Sequence, residues 1–127
     1  MKKEEGIPVS IFKTKLNPLE AITRYLKQKN KKNKEIAELL NKKPSAISRA
    51  HKNSKNKKFV IKKTKFCVPL SEFKKPKLSI LETVVQYLRK NNHKFTEIAR
   101  ILDRNPKTIW TIQQRAKKKL REAKNNE

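Results

Sequence analysis

Sliding the chain along itself by 62 residues lays Leu16 on Leu78, Leu19 on Leu81, Glu20 on Glu82, Tyr25 on Tyr87 and Leu26 on Leu88. The register continues, with Glu35-Ile36-Ala37 on Glu97-Ile98-Ala99, Leu40 on Leu102, Pro44 on Pro106 and Ile47 on Ile109. With one residue inserted, the approaches match as well, since Pro8, Ser10 and Phe12 fall on Pro69, Ser71 and Phe73. Self-similarity sustained over such a span marks a duplicated structural unit. Whatever one half folds into, the other must resemble. The repeats lie near 7–55 and 68–121, which predicts a first unit over 1–55, a basic linker over 56–67 and a second unit over 68–127.

Each repeat reads as three helices. The first, over 18–29, puts Leu19, Ile22, Tyr25 and Leu26 on one stripe, with Asn17 as N-cap and Pro18 in the first turn. Its copy over 79–90 carries Leu81, Val84, Val85 and Leu88, and Glu82 follows Ser79 at the spacing of a capping box. The second helix, over 33–40 and 95–102, repeats apolar residues at i, i+3 and i+4 through Ile36, Ala37, Leu40 and Ile98, Ala99, Ile101, Leu102, with Thr96 as a fair cap. The third begins at Pro44 and Pro106, where proline costs no helical hydrogen bond; Asn105 suits the N-cap and Lys43 does not.

Between the second and third helices stand Asn41-Lys42-Lys43 and Asp103-Arg104-Asn105. Asn and Asp enter the left-handed region more easily than other non-glycine residues, so each can end its helix and turn the chain sharply. A helix, a short turn and a second helix at a steep angle form a helix-turn-helix. The small Ala37 and Ala99 let the helices cross closely, and Ile47 and Ile109 close the corner. With a single Gly, a sheet rich in tight turns is disfavoured. The predicted fold class is all-α: two tandem three-helix helix-turn-helix units with room for a short β element in the linker. There Phe59-Val60-Ile61 and Phe66-Cys67-Val68 read as a hairpin or as an extended strand leading into the second unit. Ile7-Pro8-Val9 suggests that each unit opens with an extended arm packing on its own helices or on its neighbour.

Charge points to the partner. Lys+Arg number 35 against 11 Asp+Glu, a net +24, and such an excess repels itself unless a polyanion neutralises it. Drift towards lysine usually raises Glu as well and keeps the balance near neutral. The stretch Phe95-Thr96-Glu97-Ile98-Ala99-Arg100-Ile101-Leu102, followed by Thr108-Ile109-Trp110-Thr111-Ile112-Gln113-Gln114-Arg115-Ala116-Lys117-Lys118-Lys119-Leu120, resembles the second and recognition helices of sigma-factor region-four-like domains. Those are promoter-reading modules, shared with many small prokaryotic regulators. The resemblance covers about 40 residues of each unit. The glycine many members carry in the turn is here Asn41 or Asp103, and regions that bind core polymerase have no counterpart.

In such a motif the third helix lies in the major groove. At about 100° per residue, Ile109, Ile112, Ala116 and Leu120 form the buried stripe. Lys107, Thr111, Gln114 and Lys118 lie opposite, flanked by Trp110 and Arg115; in the first unit the exposed set is Ser45, Arg49 and Lys52, flanked by Ser48. Arg can bond guanine and Gln adenine bidentately, while Ser or Thr serves base or phosphate. Phosphate contacts are expected from Lys34, Lys42, Lys43, Lys94, Arg104, Arg115, Lys117 and Lys119, any one of which is equally compatible with a solvated surface charge. Trp110 can stack on a sugar or wedge beside a phosphate, or be partly buried against the second helix or a partner surface; Tyr25 and Tyr87 belong to the core, His51 and His93 to the surface, and Cys67 is expected to be a small buried hydrophobe.

These features predict double-stranded DNA as partner, with a sequence-specific transcriptional regulator as the first reading and a nucleoid or architectural protein as the alternative. RNA binding lacks the aromatic platforms that single-strand readers use. No nucleophile–histidine pair, acid pair, metal cluster or phosphate loop is found, so neither enzymatic activity nor a cofactor is expected. One cysteine and no apolar run near the ~18 residues of a membrane span suggest a cytoplasmic, nucleoid-associated protein without a membrane partner. Contact with RNA polymerase or other transcription machinery, a role as a transposase or recombinase accessory domain, and the oligomeric state stay open.

Overall fold

The computed structural model describes residues 6–13, 16–55, 57, 66–74 and 78–125. The first half runs from strand β1 (Gly6–Pro8) through a 3-10 segment (Val9–Lys13) to helices α1 (Pro18–Gln28), α2 (Asn33–Leu40) and α3 (Pro44–Ser54). The second repeats the order with β2 (Cys67–Pro69), a 3-10 segment (Leu70–Lys74), α4 (Ile80–Lys90), α5 (Phe95–Leu102) and α6 (Pro106–Asn125). The fold is all-α apart from a two-stranded sheet, and one three-helix sequence occurs twice.

Local chemistry sets the helix ends. The Asn17 side chain accepts from the Glu20 amide at 2.8 Å and Glu20 Oε1 accepts from the Asn17 amide at 3.2 Å, a capping box with Pro18 in the first turn. Ser79 and Glu82 repeat the box at 3.2 and 2.9 Å. Asn105 Oδ1 accepts from the Lys107 amide at 2.8 Å at the start of α6, whereas Lys43 offers α3 no side-chain cap. The cap expected of Thr96 is not made. Phe95 is already helical, its ring packed against the core with the Arg89 guanidinium 4.2 Å above it, so Thr96 falls inside the first turn after an uncapped Lys94.

The exits share one device. Asn30, Asn41, Asn92 and Asp103 have φ of 66°, 53°, 69° and 53°. At each, the next residue's amide reaches back to the carbonyl five residues earlier: Lys31 to Leu26, Lys42 to Ala37, His93 to Leu88 and Arg104 to Ala99. This is the Schellman closure, usually built on glycine. The sequence indicates the pair at Asn41 and Asp103; the pair at Asn30 and Asn92 obeys the same rule.

The halves are joined by their arms. β1 and β2 pair antiparallel with Gly6 opposite Pro69, Ile7 opposite Val68 and Pro8 opposite Cys67, and the Val9 amide extends the ladder to the Phe66 carbonyl at 3.1 Å. Ile7 and Val68 are fully buried. The 3-10 segment of the first half, carrying Ile11 and Phe12, packs on α5; that of the second, carrying Leu70 and Phe73, packs on α2. One hydrophobic cluster therefore runs through both halves from Ile7 to Ile112. Both expectations for the arm are realised, since each 3-10 segment also packs on the first helix of its own half, and Cys67–Pro69, following Phe66, forms a strand paired with the first arm. Phe59-Val60-Ile61 lies outside the described residues. Cys67 is exposed rather than buried, because side chains alternate along a strand and Val68 takes the inward position.

A buried carboxylate stands at the same place in each half. Lys57 Nζ reaches Glu20 Oε1 at 2.8 Å, and Lys119 Nζ reaches both Glu82 oxygens at 2.7 and 3.0 Å, tying the far end of α6 to the cap of α4. Burial pushes the Glu82 carboxyl up, but the Lys119 ammonium and the Ser79 amide and hydroxyl outweigh it, leaving Glu82 below its usual carboxylate range. A carboxyl depressed in the folded state contributes stability that is complete above its unfolded value of about 4.3 and lost as pH falls through the folded value.

Two outcomes are expected in urea unfolding. Glu82→Gln lowers stability at neutral pH by about 1 kcal/mol and shows a shallower loss than the parent as pH drops below about 4; parallel pH profiles would refute the assignment. Asp103→Gly leaves stability unchanged or slightly raised, while Asp103→Val lowers it by about 1–2 kcal/mol, the cost of forcing a branched residue into the left-handed region.

Candidate nucleic-acid interface

In each half a short helix, a left-handed turn and a proline-started helix meet at a tight corner. α2 packs on α3 and α5 on α6, with Ala37 and Ala99 buried on the first helix of each pair and Ile47 and Ile109 fully buried on the second. Filling the inner faces fixes which faces of α3 and α6 turn outward.

On α3, Ser45, Ser48, Arg49 and Lys52 are all exposed, while Ile47, Ala50 and Ser54 face inward. On α6, Lys107, Trp110, Arg115, Lys117 and Lys118 are exposed, and Thr111 and Gln114 are half-buried. The Thr111 hydroxyl donates to the Lys107 carbonyl at 3.1 Å, which orients it and leaves its oxygen able to accept. Trp110, 52% exposed, is the one exposed large hydrophobic among the described residues. Gln113, beside the expected reader Gln114, is only 4% exposed and donates from Nε2 to Gln86 Oε1 at 3.0 Å. It stands four residues after Ile109, on the buried stripe, and that spacing was the available signal.

The cations around this surface fall into two sets. Lys34, Lys43, Lys94, Arg115 and Lys117 are exposed, and Lys42 is half-buried beside a shallow cleft. Arg104 and Lys119, expected at phosphates, are engaged within the molecule. The half-buried Arg104 guanidinium donates to the Phe12 carbonyl at 3.0 Å and the Leu102 carbonyl at 2.9 Å, bracing the first arm against α5; Lys119 is held by Glu82. Burial lowers the Arg104 pKa and Asp103 partly offsets it. Both residues donate to oxygens of buried residues.

Several contributors had no sequence signal. Arg24 reaches from α1 to the Ser54 and Lys57 carbonyls, closing the end of α3. His51 and His93 are half-buried rather than free on the surface. Burial, then Lys27, Lys55 and Arg24, hold the His51 imidazole below its usual pKa. His93 Nδ1 meets Glu97 Oε1 at 2.7 Å with its ring edge-on to Phe66. Tyr25 is buried and Tyr87 half-buried in the core, as their place on the helical stripe requires.

No protein-family model, no curated protein and no solved structure matches this chain.

Proposed function

We propose that the protein binds double-stranded DNA and reads its sequence as a transcriptional regulator, with α3 and α6 as recognition helices and no catalytic step. One observation carries the reading: in both halves a proline-started helix, braced by an alanine-bearing neighbour, turns a polar face outward on a chain of net charge +24. Arg49 and Gln114 supply bidentate groups for guanine and adenine, and Ser45, Ser48, Thr111, Lys52, Lys107 and Lys118 surround them. Lys34, Lys42, Lys43, Lys94, Arg115 and Lys117 supply phosphate contacts, and Trp110 a flat apolar face for a sugar edge. The outward faces of α3 and α6 differ, which favours reading over mere attachment.

The alternative is an architectural protein of the nucleoid, favoured by the predominance of lysine over arginine at the outward positions. Either role places the protein on the chromosome. No helix among the described residues is long and apolar enough to cross a membrane.

Selection of duplexes from a random pool at moderate salt separates the two readings: a regulator enriches a motif, at 10³-fold or more over non-specific sites, and a packaging protein enriches none. Arg49→Ala and Gln114→Ala are expected to relax base preference with little change in salt dependence. Lys117→Gln weakens all duplexes alike and lowers the salt slope by about 1, whereas Arg104→Gln leaves that slope unchanged and lowers stability. An equal loss on every sequence for the first two variants, or no duplex binding at low ionic strength, overturns the proposal.

A further inference from the structure

The two halves do not follow one another in the same sense. In the arms, position 7 is equivalent to position 68, and the strand register sets these two residues, Ile7 and Val68, opposite each other. Equivalent segments that pair antiparallel, with equivalent residues face to face, are related by a half-turn, since a simple translation would leave them parallel.

Three further contacts obey the same relation. The first arm packs on α5 while the second packs on α2, the reciprocity of an isologous interface; a head-to-tail relation would satisfy one of these contacts and not the other. The turns follow the same relation with a one-residue offset: Arg104 donates to the Phe12 carbonyl near the end of the first arm, and Asn41 Nδ2, one position before the counterpart of Arg104, donates at 3.3 Å to the Lys74 carbonyl, one position after the counterpart of Phe12. A cleft of about 410 Å³ is lined by Asn17, Pro18 and Leu19 across from their counterparts Ser79, Ile80 and Leu81. The axis also accounts for the single glycine of the chain. Gly6 and Cys67 occupy equivalent positions, and a Cβ on Gly6 would stand 2.9 Å from the Cys67 Cβ. Two equivalent side chains cannot both occupy that spot, and one of the pair is reduced to hydrogen.

A half-turn that exchanges the halves also exchanges α3 with α6, so a single duplex lying across both helices would be met by them in opposite senses. A duplex has dyads of its own, and twofold proteins align with them. We infer that the target is an inverted repeat with unlike halves, one read by α3 and the other by α6, rather than two half-sites in the same direction. The inference rests on the DNA-binding reading above and adds to it the polarity of the site.

Two selections from random duplexes test it, one with the parent chain and one with Ser45→Lys, Ser48→Trp, Arg49→Thr and Lys52→Gln combined, which gives the outer face of α3 the residues that α6 carries at the equivalent positions. All four positions are exposed, so the fold is expected to survive. The parent is expected to select two different half-sites, and the variant a near-perfect palindrome of the half-site read by α6. A direct repeat from the variant overturns the inference and leaves DNA reading intact. Failure of the parent to bind duplex, or enrichment without a motif, overturns the proposed function and the inference with it.

Discussion

The antiparallel contact between Ile7 and Val68, with the exchanged arms that extend from it, is the constraint on which the rest of the structure depends. A unit of about 50 residues buries a smaller fraction of its surface than a larger domain does and is marginal by itself. Each half here contributes three helices, all but α6 of 11 residues or fewer, and few large apolar side chains. By laying Ile11 and Phe12 on α5, and Leu70 and Phe73 on α2, each half completes the other's core and the hydrophobic cluster becomes continuous. The positions of α3 and α6 then follow, since each is packed on a helix that the other half's arm holds down.

Much of this was legible in the sequence because it is local. The repeat gave the number of units, and Asn17, Ser79, Pro18, Pro44 and Pro106 set helix starts by chemistry confined to one turn. Asn41 and Asp103 announced left-handed exits for the same reason. The arm exchange was legible only as one of two expectations, since which helix an arm covers depends on contacts distant in sequence. The same limit explains Arg104 and Lys119. A cation's spacing shows that it lies on a surface, but not that the Phe12 carbonyl or the Glu82 carboxylate stands within reach. Cys67 was misplaced because its composition is apolar while the strand's alternation had already given the inward position to Val68.

The outward faces of α3 and α6 are less alike than the inner ones. Their buried positions keep Ile47 and Ile109 in register, and the capped acids keep Glu20 and Glu82, each with its lysine. Outside, Ser48 stands where the second half has Trp110, and Arg49 where it has Thr111. The interior of a duplicated fold must preserve shape at close packing; solvent-facing positions carry no such demand and are free to diverge.

The antiparallel arms have a consequence for how the two halves meet. A pair of separate subunits joined in this way would come apart on dilution, with the fraction assembled set by protomer concentration. Here the mate of each arm travels on the same polypeptide, at an effective concentration fixed by the intervening residues. Two surfaces of unlike chemistry are thereby kept in fixed register at any copy number, which identical subunits cannot achieve.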